Sequence, residues 1–171
     1  MKKRIYVALT GVLLLTVGST VTALGQSDLV KSGDEKCKVC DFRGALGDYT
    51  RAIEVDTADA EAYLKRGVAL KVLGEFGAAV EDLNKAIELR PKYLDAYYNR
   101  ATVRMEMMDY GRAIADLDRV VELNSAHADA YLARGFSKYR QGLKEEGCVD
   151  MKKASNLGNE AAPKLLKQLC N

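Results

Sequence analysis

Residues 60–91, AEAYLKRGVALKVLGEFGAAVEDLNKAIELRP, lie over residues 94–125, LDAYYNRATVRMEMMDYGRAIADLDRVVELNS, without a gap at an offset of 34. The same step forward reaches ADAYLARGFSKYRQGLKEEGCVDMKKASNLGN from Ala128, and the step back reaches QSDLVKSGDEKCKVCDFRGALGDYTRAIEVDT from Gln26. Self-similarity at a fixed period of this length marks an array of one supersecondary unit. Four registers, 26–59, 60–93, 94–127 and 128–161, tile the chain beyond its first 25 residues.

Each unit reads as two helices. Small residues recur at the eighth position (Gly33, Gly67, Ala101, Gly135) and the twentieth (Ala45, Ala79, Ala113, Gly147), with Ala52, Ala86, Val120 and Ala154 at the twenty-seventh. Small side chains there let paired helices approach closely. Larger groups at the fourth position (Leu29, Tyr63, Tyr97, Tyr131) and twenty-fourth (Tyr49, Leu83, Leu117, Met151) are available to fill the space between units. Gly74 and Gly142 fall where a first helix ends and Pro91 where a second does, both natural stops. Neither helix buries its apolar face alone, so stacking of units supplies the core.

This pattern resembles the tetratricopeptide-repeat (TPR) family over essentially residues 26–161. The resemblance implies an all-α, right-handed α-solenoid of four TPR-like helix pairs, with a C-terminal capping helix over 162–171. The sequence departs from the family in places. Tyr or Leu replaces the usual tryptophan at the fourth position, and Lys36, Leu70, Arg104 and Lys138 stand at the commonly aromatic eleventh. The fourth unit carries Lys144 where the others have Phe42, Phe76 and Tyr110.

Asp48, Asp82, Asp116 and Asp150 share one position in the second helices, and Arg66, Arg100 and Arg134 share one in the first helices. The expected ladder pairs Arg66 with Asp48, Arg100 with Asp82 and Arg134 with Asp116, setting the register between units.

The N-terminus, MKKRIYVALTGVLLLTVGSTVTALGQSD, has the three parts of an export signal: cations Lys2, Lys3 and Arg4, an apolar stretch from Ile5 to Val17, and small residues near Ala23 and Gly25. Residues 1–25 are therefore expected to direct export to a periplasmic or secreted location, with a bacterial style of signal. The other reading is an uncleaved anchor over residues 5–24, giving a membrane-tethered assembly factor. Loss of the three leading cations takes the net charge from +2 to −1. No dense Lys/Arg run remains after residue 4, which disfavours nucleic acid as a partner.

An exported chain meets oxidising conditions, in which its four cysteines can pair. A hairpin folded about residues 158–159 sets residue 148 opposite roughly residue 170, so a Cys148–Cys170 disulfide is expected to staple the capping helix. Cys37 and Cys40 form a C-x-x-C at the predicted C-terminal end of a first helix. A redox-active pair normally sits at a helix N-terminus, where the dipole favours the thiolate. Three readings stay open for it: a local disulfide, free or intermolecular thiols, and a thiol–disulfide exchange or metal site. The only histidine, His127, is remote in sequence, and a structural zinc site needs four ligands. No cofactor or metal is expected.

The resemblance also implies binding rather than catalysis, because first helices in this family line a concave groove for a protein or peptide partner. Carried onto this sequence, the groove positions are Val30 and Asp34, then Leu64, Lys65, Val68 and Lys71. Tyr98, Asn99, Thr102 and Met105 follow in the third unit, with Leu132, Phe136 and Tyr139 in the fourth. Val30 and Asp34 occupy places where chaperone-carboxylate clamps of the family hold Lys and Asn, and only Asn99 is similar to that clamp. The expected function is an exported, non-catalytic scaffold whose groove takes an amphipathic helix or extended peptide.

Overall fold

The structure is a computed structural model and describes residues 17–170. Among these residues it is all helix: α1 (Val17–Lys38), α2 (Phe42–Val55), α3 (Ala60–Val72), α4 (Phe76–Leu89), α5 (Leu94–Glu106), α6 (Tyr110–Leu123), α7 (Ala128–Arg140), α8 (Lys144–Asn156) and α9 (Ala162–Leu169). The even helices α2, α4, α6 and α8 begin at Phe42, Phe76, Tyr110 and Lys144, each 34 residues after the last. Consecutive helices pack as antiparallel neighbours, and α3 also touches α5, as α5 touches α7. The odd helices thus form the inner layer of an α-solenoid and the even helices its outer layer. Lys144 opens α8 as the aromatic residues open α2, α4 and α6, so its departure from the pattern leaves the helix start in register.

Most of the expected leader lies in residues 1–16, outside the described residues. The described remainder belongs to α1, which runs from Val17 past Ala23 and Gly25 and is longer than the repeat register requires. No helix among the described residues is long and apolar enough to cross a membrane.

The small-residue positions are where paired helices meet. A Cβ placed on Gly135 would lie 2.6 Å from the carbonyl oxygen of Gly147, and one on Gly147 would lie 2.6 Å from that of Gly135. No side chain fits between α7 and α8 at that crossing. The twenty-fourth position fills the same interface within a unit: Tyr49 faces Gly33 and Leu83 faces Gly67. Tyr49, Leu83, Leu117 and Met151 are all buried there.

The turn from odd to even helix has one shape in all four units. The amides of Asp41, Glu75, Asp109 and Leu143 donate to the carbonyls of Lys36, Leu70, Arg104 and Lys138 at 2.8–2.9 Å, closing the last turn of each odd helix. This geometry puts the preceding residue in the left-handed region. Gly74 (φ 78°) and Gly142 (φ 98°) take it freely, whereas Cys40 (φ 61°) and Met108 (φ 59°) carry a Cβ there. The second cysteine of the C-x-x-C is therefore a strained helix stop.

The aspartate row is buried at the centre of each helix pair: Asp48, Asp82, Asp116 and Asp150 are at most 6% exposed. The pairing differs by one unit from the expected ladder. Arg66 holds Asp82 through Nε and Nη2 (2.7 and 2.8 Å), Arg100 holds Asp116 (3.0 and 2.6 Å), and Arg134 holds Asp150 (2.8 and 2.6 Å). A within-unit partner wins because the fork must meet both carboxylate oxygens, and the odd helix of the same unit presents it along the shared face. The remaining Nη1 reaches back to the preceding unit, to Thr50, Asn84 and Asp118 respectively. Each guanidinium also lies over the tyrosine three residues earlier, at 5.2–5.6 Å from the ring centroid.

The first unit has no arginine at this position. Ser32 donates to Asp48 at 2.6 Å, Lys36 approaches at 2.7 Å, and Arg51 completes the set. Lys36 belongs to the atypical eleventh position, and Arg104 and Lys138 reach Asp116 and Asp150 from it at 2.6 and 3.0 Å. Charged groups replace aromatic ones there because they help neutralise the buried carboxylate. Burial by itself would raise the Asp48 carboxyl, but Lys36, Ser32 and Arg51 pull it down to about 2.

α9 folds back on α8, joined by the Cys148–Cys170 disulfide with the Cα atoms 5.8 Å apart. Cys37 and Cys40, by contrast, are free, not joined to each other. Cys37 turns inward toward Tyr49, while Cys40 stays exposed in the turn.

Three outcomes are expected on stability. In double-mutant cycles by chemical denaturation, Arg100 and Asp116 couple by about 1–3 kcal/mol, while Arg100 and Asp82 do not. Met108→Gly relieves the left-handed residue and raises the unfolding free energy by about 1 kcal/mol. Asp48 is depressed in the folded state, so its contribution is complete above the ordinary carboxylate pKa and disappears as pH falls towards 2. Acid titration of stability should show a loss of about 2 kcal/mol across that window, and Asp48→Asn should flatten it.

Candidate functional site

The odd helices present one side chain row after another along the inner face, and cavities open on it among the described residues, two of them alike in size. The first, of about 390 Å³, lies among α1, α3 and α5 and includes Asp34, Leu64, Lys65, Val68 and Tyr93 in its lining. The second, also about 390 Å³, lies among α5, α7 and α9 and includes Tyr98, Met105, Leu132, Phe136 and Leu165. Its wall is apolar apart from Thr102, the Tyr98 hydroxyl and Asp129. A concave apolar surface with a few placed polar groups is the common form of a binding site.

The aromatic positions are held rather than loose. Tyr98 stacks on His127 with ring centroids 5.0 Å apart, and His127 is fixed in turn because its Nδ1 accepts from the amide of Ala130 at the start of α7. Burial, with Asp129 nearby, pushes the Tyr98 hydroxyl pKa up, so it stays protonated. Phe136 lies under the Arg140 guanidinium, 5.7 Å from the ring centroid.

The two lysines among the groove positions are already engaged. Lys65 binds Asp34 through both carboxylate oxygens (2.8 and 2.7 Å) and meets Glu61 at 3.4 Å. Burial opposes its charge, but these carboxylates hold its pKa above the ordinary lysine value. Lys71 donates to Asn99 Oδ1 at 3.0 Å and to Thr102 Oγ1 at 3.5 Å. Burial lowers its pKa, with only Glu106 acting the other way. Asn99 also donates to the Asp95 carbonyl at 2.9 Å, so it is a rivet between α3 and α5.

Of the groove residues read from sequence, Leu64, Lys65, Val68 and Asp34 line the first cavity, and Tyr98, Thr102, Met105, Leu132 and Phe136 the second. Val30 lies beside the first, over a neighbouring hollow with Gln26 and Asp59. Tyr139 lines neither: it packs at the α7–α8 crossing beside Gly147, with the Lys144 ammonium 5.7 Å from its ring centroid. Sequence reading missed Tyr93, Glu61, Asp95, Asp129 and Leu165. The three acids share the second position of their units, a regularity visible at the offset of 34. Leu165 carries no such signal, because its place depends on how α9 folds back.

The C-x-x-C belongs to the edge of the first cavity through Cys37. Tyr49 donates to Asp34 Oδ1 at 2.8 Å, which leaves its oxygen to accept from the Cys37 thiol, 3.5 Å away. Burial and these acidic neighbours push the Tyr49 pKa far up. This thiol is used as a donor at the C-terminal end of a helix, not at the N-terminal end where redox-active pairs normally sit. Among the described residues no group of three His, Cys, Asp or Glu side chains is placed to hold a metal.

Family models match two overlapping stretches: one described as TPR repeat over residues 69–107, the other as tetratricopeptide repeat over residues 98–147. No curated protein matches the chain. Among solved structures, MamA shares the fold with a TM-score of 0.76 and 26% identity, over 85% of this chain and 87% of that one. The TPR domain of Arabidopsis OM64 aligns with a TM-score of 0.68 and 26% identity, over 69% and 98% of the two chains. The TPR2B domain of yeast Sti1, in its complex with pHsp70, aligns with a TM-score of 0.59 and 27% identity, over 72% and 96%. Matched repeats and a shared solenoid together place this chain among the tetratricopeptide-repeat proteins.

Proposed function

We propose that this chain is an exported, non-catalytic scaffold that holds a helical or extended segment of another protein along its odd helices. The observation that carries this reading is the apolar cavity among α5, α7 and α9, open to solvent and walled by Leu132, Phe136, Met105 and Leu165. Apolar anchors seated in such a hollow provide most of the affinity of a peptide in a groove. The yeast Sti1 domain, similar in fold, is seen in complex with pHsp70, which supports a protein or peptide as the class of ligand here. The basic and apolar leader supports export, and the Cys148–Cys170 bridge suits an oxidising compartment. Catalysis by Cys37 and Cys40 has no geometric support, since one thiol is a hydrogen-bond donor to Tyr49 and the other sits in a strained turn.

Site-specific photo-cross-linking in the exporting cell tests this. A photoreactive residue at Leu132 or Thr102 should trap a discrete protein, whereas one at the exposed Val149 of α8 should not. Leu132→Asp should abolish trapping from Thr102 while leaving helical content and the melting temperature close to the parent. Equal trapping from both faces would overturn the groove reading, and an intact Met1 on the trapped protein would replace release with a membrane tether.

A further inference from the structure

The groove carries a charge pattern opposite to what its lysines suggest. Glu61, Asp95 and Asp129 occupy the same place in the first turns of α3, α5 and α7. All three are exposed, and each lines one of the two cavities. Glu61 shares Lys65 with Asp34. The Asp129 carboxylate accepts only from the neutral Asn159 amide at 2.6 Å. Among the described residues the Asp95 carboxylate has no ion pair or hydrogen bond. A carboxylate in a first turn is favoured by the helix dipole, but that end carries only about half a unit of positive charge. The row therefore stays net negative.

Lys31 stands exposed in the hollow it shares with Glu61, but the other cations nearby do little to offset the row. Lys65 is chelated by Asp34, and Lys71 is desolvated against Asn99 and Thr102. Arg90 and Arg140 lie over the rings of Tyr93 and Phe136, at 4.3 and 5.7 Å from the centroids. The groove thus combines an apolar floor with an acidic margin repeated once per unit.

We infer that the segment seated in this groove is basic and amphipathic: apolar anchors enter the cavities, and Lys or Arg side chains beside them meet Glu61, Asp95 and Asp129. The inference rests on the groove reading above and names its ligand class by charge complementarity. An acidic tail, by contrast, would meet three carboxylates and two lysines already engaged, with Lys31 exposed only at the α1 edge of the row.

The test uses the whole protein and a displayed library of random short peptides, with the Leu132→Asp variant as counter-selection. Peptides that need Leu132 should carry Lys or Arg flanking apolar residues. Replacing those cations by Glu should weaken binding at least about tenfold at low ionic strength, and added salt should shrink the difference. Glu61→Gln, Asp95→Asn and Asp129→Asn combined should remove most of it. Leu132-dependent peptides that are neutral or acidic would overturn the inference and leave the groove reading standing, as would indifference to charge reversal or to the triple substitution. Failure to recover any Leu132-dependent peptide would overturn both.

Discussion

A carboxylate buried at the centre of every helix pair constrains the whole solenoid. Removing such a charge from water costs several kcal/mol unless it is paired and its oxygens are satisfied. Asp82, Asp116 and Asp150 meet that demand with a two-pronged arginine from the facing helix. Because the third nitrogen of each arginine binds the preceding unit, satisfying the carboxylate also sets the stacking of one unit on the next. The first unit lacks this arginine, and there Ser32, Lys36 and Arg51 do the work from within. No buried side-chain polar atom among the described residues is left without a partner.

The repeat was legible because it is written in size and polarity at fixed positions, and those properties survive without three-dimensional information. The eighth and twentieth positions read as close approach, and Gly135 against Gly147 is that approach in atoms. The arginine–aspartate ladder was legible as a ladder but not in its register. Arg100 is 16 residues before Asp116 and 18 after Asp82, so spacing along the chain hardly discriminates between them. What decides is the direction in which a bidentate fork leaves its helix, and no periodicity reports that.

The same limit explains the groove. Family positions located most of its lining, including Leu64, Tyr98, Leu132 and Phe136. Its electrostatics are not legible in the sequence, which shows charge one helix at a time. Lys65 and Lys71 are cations in the sequence, yet each is spent on a neighbouring odd helix, at Asp34 in α1 and at Asn99 and Thr102 in α5. Once they serve packing between units, the acids of the first turns are what a visitor to the groove would meet. Tyr139 lies outside both cavities for a related reason: α7 and α8 cross so closely that its side chain packs at that crossing.

The four cysteines divide by the helix geometry around them. Cys40 stands at a residue whose backbone is set by the hydrogen bond from Asp41 to Lys36, and Cys37 faces Tyr49 one turn earlier. Proximity in sequence therefore does not join them to each other. Cys148 and Cys170 are far apart in sequence but adjacent in space because the chain reverses between α8 and α9. An eight-residue helix such as α9 has little intrinsic stability in water, so the bridge holds at its place a helix that would otherwise fray. Leu165, on that helix, closes one side of the apolar cavity. The shape of the groove at its C-terminal end thus depends on a covalent bond outside it.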